Sequence, residues 1–109
     1  MPNWDNQQTK NLLRAILALK NVNEAKRFFR DLLTENELIE FANRWQAAQM
    51  LEQNVPYSTI EKKTGLSSTT VARVSQWLNK GMGGYKLILK RLKLNHHHNQ
   101  SHSFESGLW

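Results

Sequence analysis

Residues 67–80 carry side chains suited to hydrogen bonding with nucleic-acid bases and phosphates. Thr69, Ala72, Arg73, Gln76 and Lys80 recur at i, i+3, i+4, i+7 and i+11, one face of a helix. Val71, Val74 and Leu78 recur at i, i+3 and i+7 on the opposite face. The polar face is small and hydroxylated at its N-terminal end, where Ser67, Ser68, Thr69 and Thr70 stand, and cationic or amide-bearing beyond it. Compact residues let a helix N-terminus enter the major groove, and Arg and Gln can bond base edges there. Residues 67–76 are therefore the candidate readout segment. Lys62, Lys63, Lys80, Lys86 and Lys90 suit phosphates, which position a protein without specifying sequence.

A reading face needs a second helix to hold it. Residues 57–64 supply a short one, followed by Gly65, Leu66 and Ser67. Short helix, Gly-containing turn and second helix make a helix-turn-helix pattern. Ile60, Leu66, Val71 and Val74 fall where the two helices must touch. Gly65 allows a backbone conformation that other residues adopt at a steric cost, and Ser67 caps the second helix. Two positions depart from the pattern. Glu61 stands where a small residue is usual, and Thr64 replaces an apolar one.

Charge distinguishes this segment from an ordinary solvated face. The 109 residues hold 15 Lys+Arg and 9 Asp+Glu, net +6. Residues 1–55 are neutral, with seven of each sign. Residues 56–95 carry eight basic residues against Glu61 alone, net +7, and the tail adds only Glu105. Such a stretch suits double-stranded DNA. An anionic membrane surface fits less well, because the outer face has no apolar side to bury in lipid. No run of about 18 apolar residues exists to span a bilayer.

The rest of the chain must position this head. Gly is scarce and apolar residues recur at helical spacing, which predicts an all-α domain. Leu12, Leu13, Ile16, Leu17 and Leu19 predict a first helix over residues 4–20. Asn21 with Glu24, and Thr34 with Glu37, have capping-box spacing and open a second and a third helix. The second carries Val22, Ala25, Phe28, Phe29, Leu32 and Leu33; the third carries Leu38, Phe41, Ala42, Trp45, Ala48 and Leu51. Asn54-Val55-Pro56 stops the third. Short helices follow over 57–64 and 68–79; Gly81, Gly83 and Gly84 then precede a last helix over 85–94.

This reading divides a single structural domain into dimerising helices (1–55), a DNA-binding head with the final helix (56–94) and a disordered polar tail (95–109). The aromatics Trp4, Phe28, Phe29, Phe41 and Trp45 serve either as core or as an interface. A core of about 90 residues is marginal alone, which favours a homodimer. His96, His97, His98 and His102 could ligate a transition metal, but neighbours in a floppy chain preset no geometry, so no metal site is expected. Zero cysteines exclude disulfides and thiolate chemistry, and no nucleophile–base or carboxylate pair stands out, so no enzyme is expected. The start, Met1-Pro2-Asn3-Trp4-Asp5-Asn6, lacks signal-peptide regions, which points to the cytoplasm.

From Phe28-Phe29-Arg30-Asp31-Leu32-Leu33-Thr34 through Arg44-Trp45 and the helix-turn-helix to Gly83-Gly84-Tyr85-Lys86-Leu87, the chain resembles the tryptophan-repressor family, most closely its short YerC/YecD-type branch. The resemblance covers residues 20–94. It implies a six-helix fold, an intertwined homodimer presenting two heads to a palindromic operator, and transcriptional regulation, with repression the expected direction. The alternative is a helix-turn-helix module for protein interaction or nonspecific nucleoid binding.

The resemblance also implies an effector pocket for L-tryptophan or another small molecule. Arg73 matches the Arg that stacks on the indole. Arg44 matches the carboxylate-pairing Arg after a one-residue shift, without which Asn43 falls there. Val74 and Trp77 stand where the family's namesake has Gly and Ser, so Trp77 is expected to fill part of that pocket and free tryptophan not to be the effector.

Overall fold

The structure, a computed structural model, describes residues 3–98, with side chains to residue 95. Six helices follow one another: α1 Gln7–Leu17, α2 Val22–Leu32, α3 Glu35–Glu52, α4 Tyr57–Thr64, α5 Ser68–Lys80 and α6 Gly84–His98. No strand occurs among the described residues, as the periodicity predicts. Two compact units meet in sequence between Glu40 and Phe41.

In the first unit, local caps set the helix limits. α1 is shorter than the predicted 4–20. Asn6 caps it, its side chain accepting from the Thr9 amide at 2.9 Å, so Trp4 and Asp5 stay outside. Asn21 caps α2 by accepting from the Glu24 amide at 2.8 Å. The Glu24 carboxylate reaches back to the Lys20 amide at 2.9 Å, one residue before the cap. Thr34 and Glu37 form the full reciprocal box at the start of α3, with bonds of 2.9 and 3.1 Å. Phe28 and Phe29 meet edge to face at 5.5 Å. Neither α1 nor α2 has a buried residue within this chain.

The second unit holds the core. Ala47, Ala48, Met50, Ile60, Leu66, Val71 and Val74 are buried together, with Trp45, Leu51, Val55 and Tyr85 packed against them. The C-terminal half of α3 is thus buried over four successive residues, Ala47 to Met50, rather than along one stripe. Its predicted apolar positions Phe41 and Ala42 stay exposed.

Asn54, with φ 61°, turns the chain after α3, and Pro56 starts α4. A Cβ at Gly81 would lie 2.4 Å from the Trp77 carbonyl oxygen, so only glycine closes α5 there. α6 starts one residue earlier than predicted and runs past Leu94 to His98, as no Gly or Pro interrupts it. The side chains of the tail histidines, and the tail beyond residue 98, lie outside the described residues.

Gly65 ends α4 in the left-handed region at φ 75°, and a Cβ there would meet nothing within 4 Å. Gly65→Ala therefore tests backbone strain free of any clash. It is expected to lower the unfolding free energy by about 1–2 kcal/mol in a urea titration; an unchanged midpoint would contradict the strain.

Candidate nucleic-acid interface

The α4–α5 pair is built from its turn outward. The Gly65 amide donates to the Glu61 carbonyl at 2.8 Å, closing α4. Ser67 then caps α5, its hydroxyl oxygen accepting from the Thr70 amide at 3.1 Å. Ile60, Val71 and Val74 are fully buried between the helices, and Leu66 nearly so. These are the positions predicted to touch.

The departure at Thr64 is resolved locally. Thr64 is buried, and its hydroxyl donates to the Ile60 carbonyl at 2.7 Å while accepting from the Leu66 amide at 3.2 Å. A polar side chain thus stands in an apolar position with both bonding capacities used. Glu61 is half-buried, and it is the only acid in the head.

With Val71, Val74 and Leu78 inside, the opposite face of α5 is open. Ser67, Ser68, Thr69, Ala72, Arg73, Gln76 and Lys80 are all exposed, as are Lys62 and Lys63 at the end of α4. Thr70 differs: it is half-buried, and its hydroxyl oxygen accepts from Ser67 at 3.1 Å, within the cap. Lys86 and Lys90 are exposed on α6. No group of three or more His, Cys, Asp or Glu residues among those described is placed to hold a metal.

A second set of contacts joins side chains of α3, α5 and α6. The Arg44 guanidinium carbon sits 5.9 Å from the Phe41 ring centroid and 6.0 Å from that of Trp77. Trp45 stacks on Tyr85 at 6.1 Å and 28°. Burial raises the Tyr85 phenol above its ordinary 10.0, an effect the Arg44 charge only partly offsets. Phe41 and Tyr85 were not singled out as site residues. The i, i+3 spacing of Phe41 and Arg44 is a readable signal, and Tyr85 lies in the Gly83–Leu87 stretch that carries the family resemblance, though nothing in its spacing gives it a role at the site.

A family model described as "Trp repressor protein" matches residues 7–93. The chain belongs to the Trp repressor family. The protein YerC of Bacillus subtilis (strain 168), itself uncharacterised, is 43% identical over 82 residues, spanning 75% of this chain and 79% of YerC. A TrpR-like protein from Eubacterium eligens ATCC 27750 superposes with a TM-score of 0.79 at 39% identity, covering 83% of this chain and 93% of its own. A candidate Trp repressor from Staphylococcus aureus gives 0.78 at 35% identity, covering 85% and 96%. The six helices are therefore those of the Trp repressor fold.

The four positions that the family resemblance assigns to an effector differ in exposure in this Trp repressor relative. Arg44 and Trp77 come together. Arg73 lies exposed, and Val74 is wholly buried in the core.

Thr64→Val would leave the buried Leu66 amide without its acceptor, at a cost of about 1–3 kcal/mol. Thr64→Ser keeps both bonds and is expected to cost less. Urea unfolding of the two variants measures the difference, and equal losses would contradict the role of the hydroxyl.

Proposed function

We propose that this protein is a sequence-specific regulator of transcription that binds double-stranded DNA, acting as a repressor in the cytoplasm. The observation that carries this reading is the division of α5. Val71 and Val74 are fully buried, while Thr69, Ala72, Arg73 and Gln76 stand exposed on a segment of net charge +7. Ser67, Ser68, Thr69 and Thr70 lie at the helix start, Arg73 and Gln76 read base edges, and Lys62, Lys63 and Lys80 meet phosphates. Family membership supports regulation rather than catalysis.

Homodimerisation is part of the reading. α1 and α2 have no buried residue, and Leu12, Leu13, Leu17, Leu32, Ile39 and Phe41 are exposed large apolar side chains. A second copy would cover these faces, place the dimerising helices of residues 1–55 together, and present two basic heads to a palindrome.

DNA affinity is expected to fall with salt at a log–log slope of about −0.9 per phosphate neutralised. Arg73→Ala should cost about 1–3 kcal/mol and relax preference at one base position only. Fluorescence anisotropy against operator and random duplexes measures both. Equal affinity for the two duplexes would favour a nonspecific nucleoid or protein-interaction module.

The effector reading concerns Arg44, Arg73, Val74 and Trp77. The Trp77 indole already lies against the Arg44 guanidinium, which supports the view that it occupies part of the family's ligand space. Calorimetry is expected to show no micromolar, stoichiometric binding of L-tryptophan; such binding would overturn this part of the reading. Trp77→Ser is the variant that would reopen the space.

A further inference from the structure

We infer that Arg44 and Trp77 form a latch that sets the angle of α5 against α3, so that the reading face is held in place by a contact within the chain. The inference rests on the DNA-binding reading above and assigns these two residues a positioning role, not contact with DNA.

Three observations carry it. First, Trp77 belongs to α5 but not to its buried face: Val71, Val74 and Leu78 are buried, while Trp77 is 44% exposed. An indole left that open contributes little as plain core. Second, its ring meets a cation on another helix. The Arg44 guanidinium carbon of α3 lies 6.0 Å from the Trp77 centroid and 5.9 Å from that of Phe41, one turn earlier on α3. Both distances are within cation–π reach, and Trp is the strongest partner for such a contact. Third, the contact sits where it has leverage. Trp77 lies in the last turn of α5, and its carbonyl oxygen accepts from the Gly81 amide at 2.9 Å where that helix ends. The other end of α5 is tied to α4 through the buried Leu66, whose amide donates to the Thr64 hydroxyl at 3.2 Å.

The two attachments differ in kind. The core shared with α3 and α4 fixes which face of α5 points outward, and Leu78 carries burial into the last turn, but apolar contacts are non-directional and tolerate some tilt of the helix axis. The directional Arg44–Trp77 contact, beside the buried Leu78, restricts that freedom. Arg73 and Gln76 lie between the two attachments, so a tilt would displace their end groups relative to base edges. Backbone phosphates, met by long flexible lysines, would feel it far less. Loss of the latch should therefore lower affinity for the operator and leave affinity for random DNA unchanged.

The test uses the full-length chain and four variants, assayed by anisotropy on an operator duplex selected for the wild type and on a random duplex. Arg44→Met keeps the aliphatic stem without the charge. Trp77→Leu keeps apolar bulk without the ring. Trp77→Phe and Arg44→Lys keep an aromatic face and a cation. Arg44→Met and Trp77→Leu are each expected to weaken operator binding about 5- to 30-fold, with random-duplex affinity unchanged. Combining them should cost no more than either alone. Trp77→Phe and Arg44→Lys should restore most of the loss, so the result stands even where the harsher variants fold poorly. Amide exchange across Ser68–Lys80 is expected to quicken in Arg44→Met. Operator binding unchanged in both harsher variants, or losses that simply add in the double variant, would overturn the latch while leaving the DNA-binding reading intact. A wild type with no preference for any duplex would overturn both.

Discussion

The crossing of α4 and α5 depends on burying Ile60 against Val71 and Val74, and the head's other features follow from it. Ile60, Val71 and Val74 are fully buried and share one cluster with Ala47, Ala48 and Met50 of α3. A helix turns about 100° per residue, so slipping α5 by one position would bury Ala72 or Arg73 in place of valine. The core cannot absorb a guanidinium without a partner. The buried face therefore dictates the exposed one, and the surface proposed to read DNA is fixed by packing beneath it. The turn works to the same end: Gly65 reverses the chain, the Thr64 hydroxyl ties Leu66 back to Ile60, and Ser67 starts the next helix.

Electrostatics divide the chain along the same line. Both parts expose large apolar side chains, but the first 55 residues are neutral while residues 56–95 carry +7. A neutral apolar surface associates without repulsion, and a basic one seeks phosphate. In the proposed dimer, two heads of +7 flank a neutral shared region. The net +6 of the chain conceals this, because the uncharged half contributes nothing to the sum.

Much of the head was legible because its signals are local. The limits of α4, the left-handed Gly65, the Ser67 cap and the inward triad Val71, Val74 and Leu78 each follow from residues within a turn or two of one another. The same locality explains the misses. The apolar stripe of α1 suggested a start at residue 4, but Asn6 is a good cap and begins the helix later. The last helix is predicted to end at Leu94, yet nothing there breaks a helix before His98. Thr64 looked like a defect, because spacing does not show a hydroxyl bonding backward and forward at once. The family resemblance assigns Arg44 and Trp77 to one pocket, while local signals say nothing of their meeting, since it joins different helices through tertiary packing.

The proposed function requires the exposed face of α5 to read a defined DNA sequence, twice, from a symmetric pair of heads. Selection of bound duplexes from a random pool by the purified full-length chain tests it most directly. The expected result is one enriched palindrome whose half-sites lie about one helical turn, or a multiple of it, apart. A pool that stays random through successive rounds, while the protein still binds DNA at low salt, would contradict it.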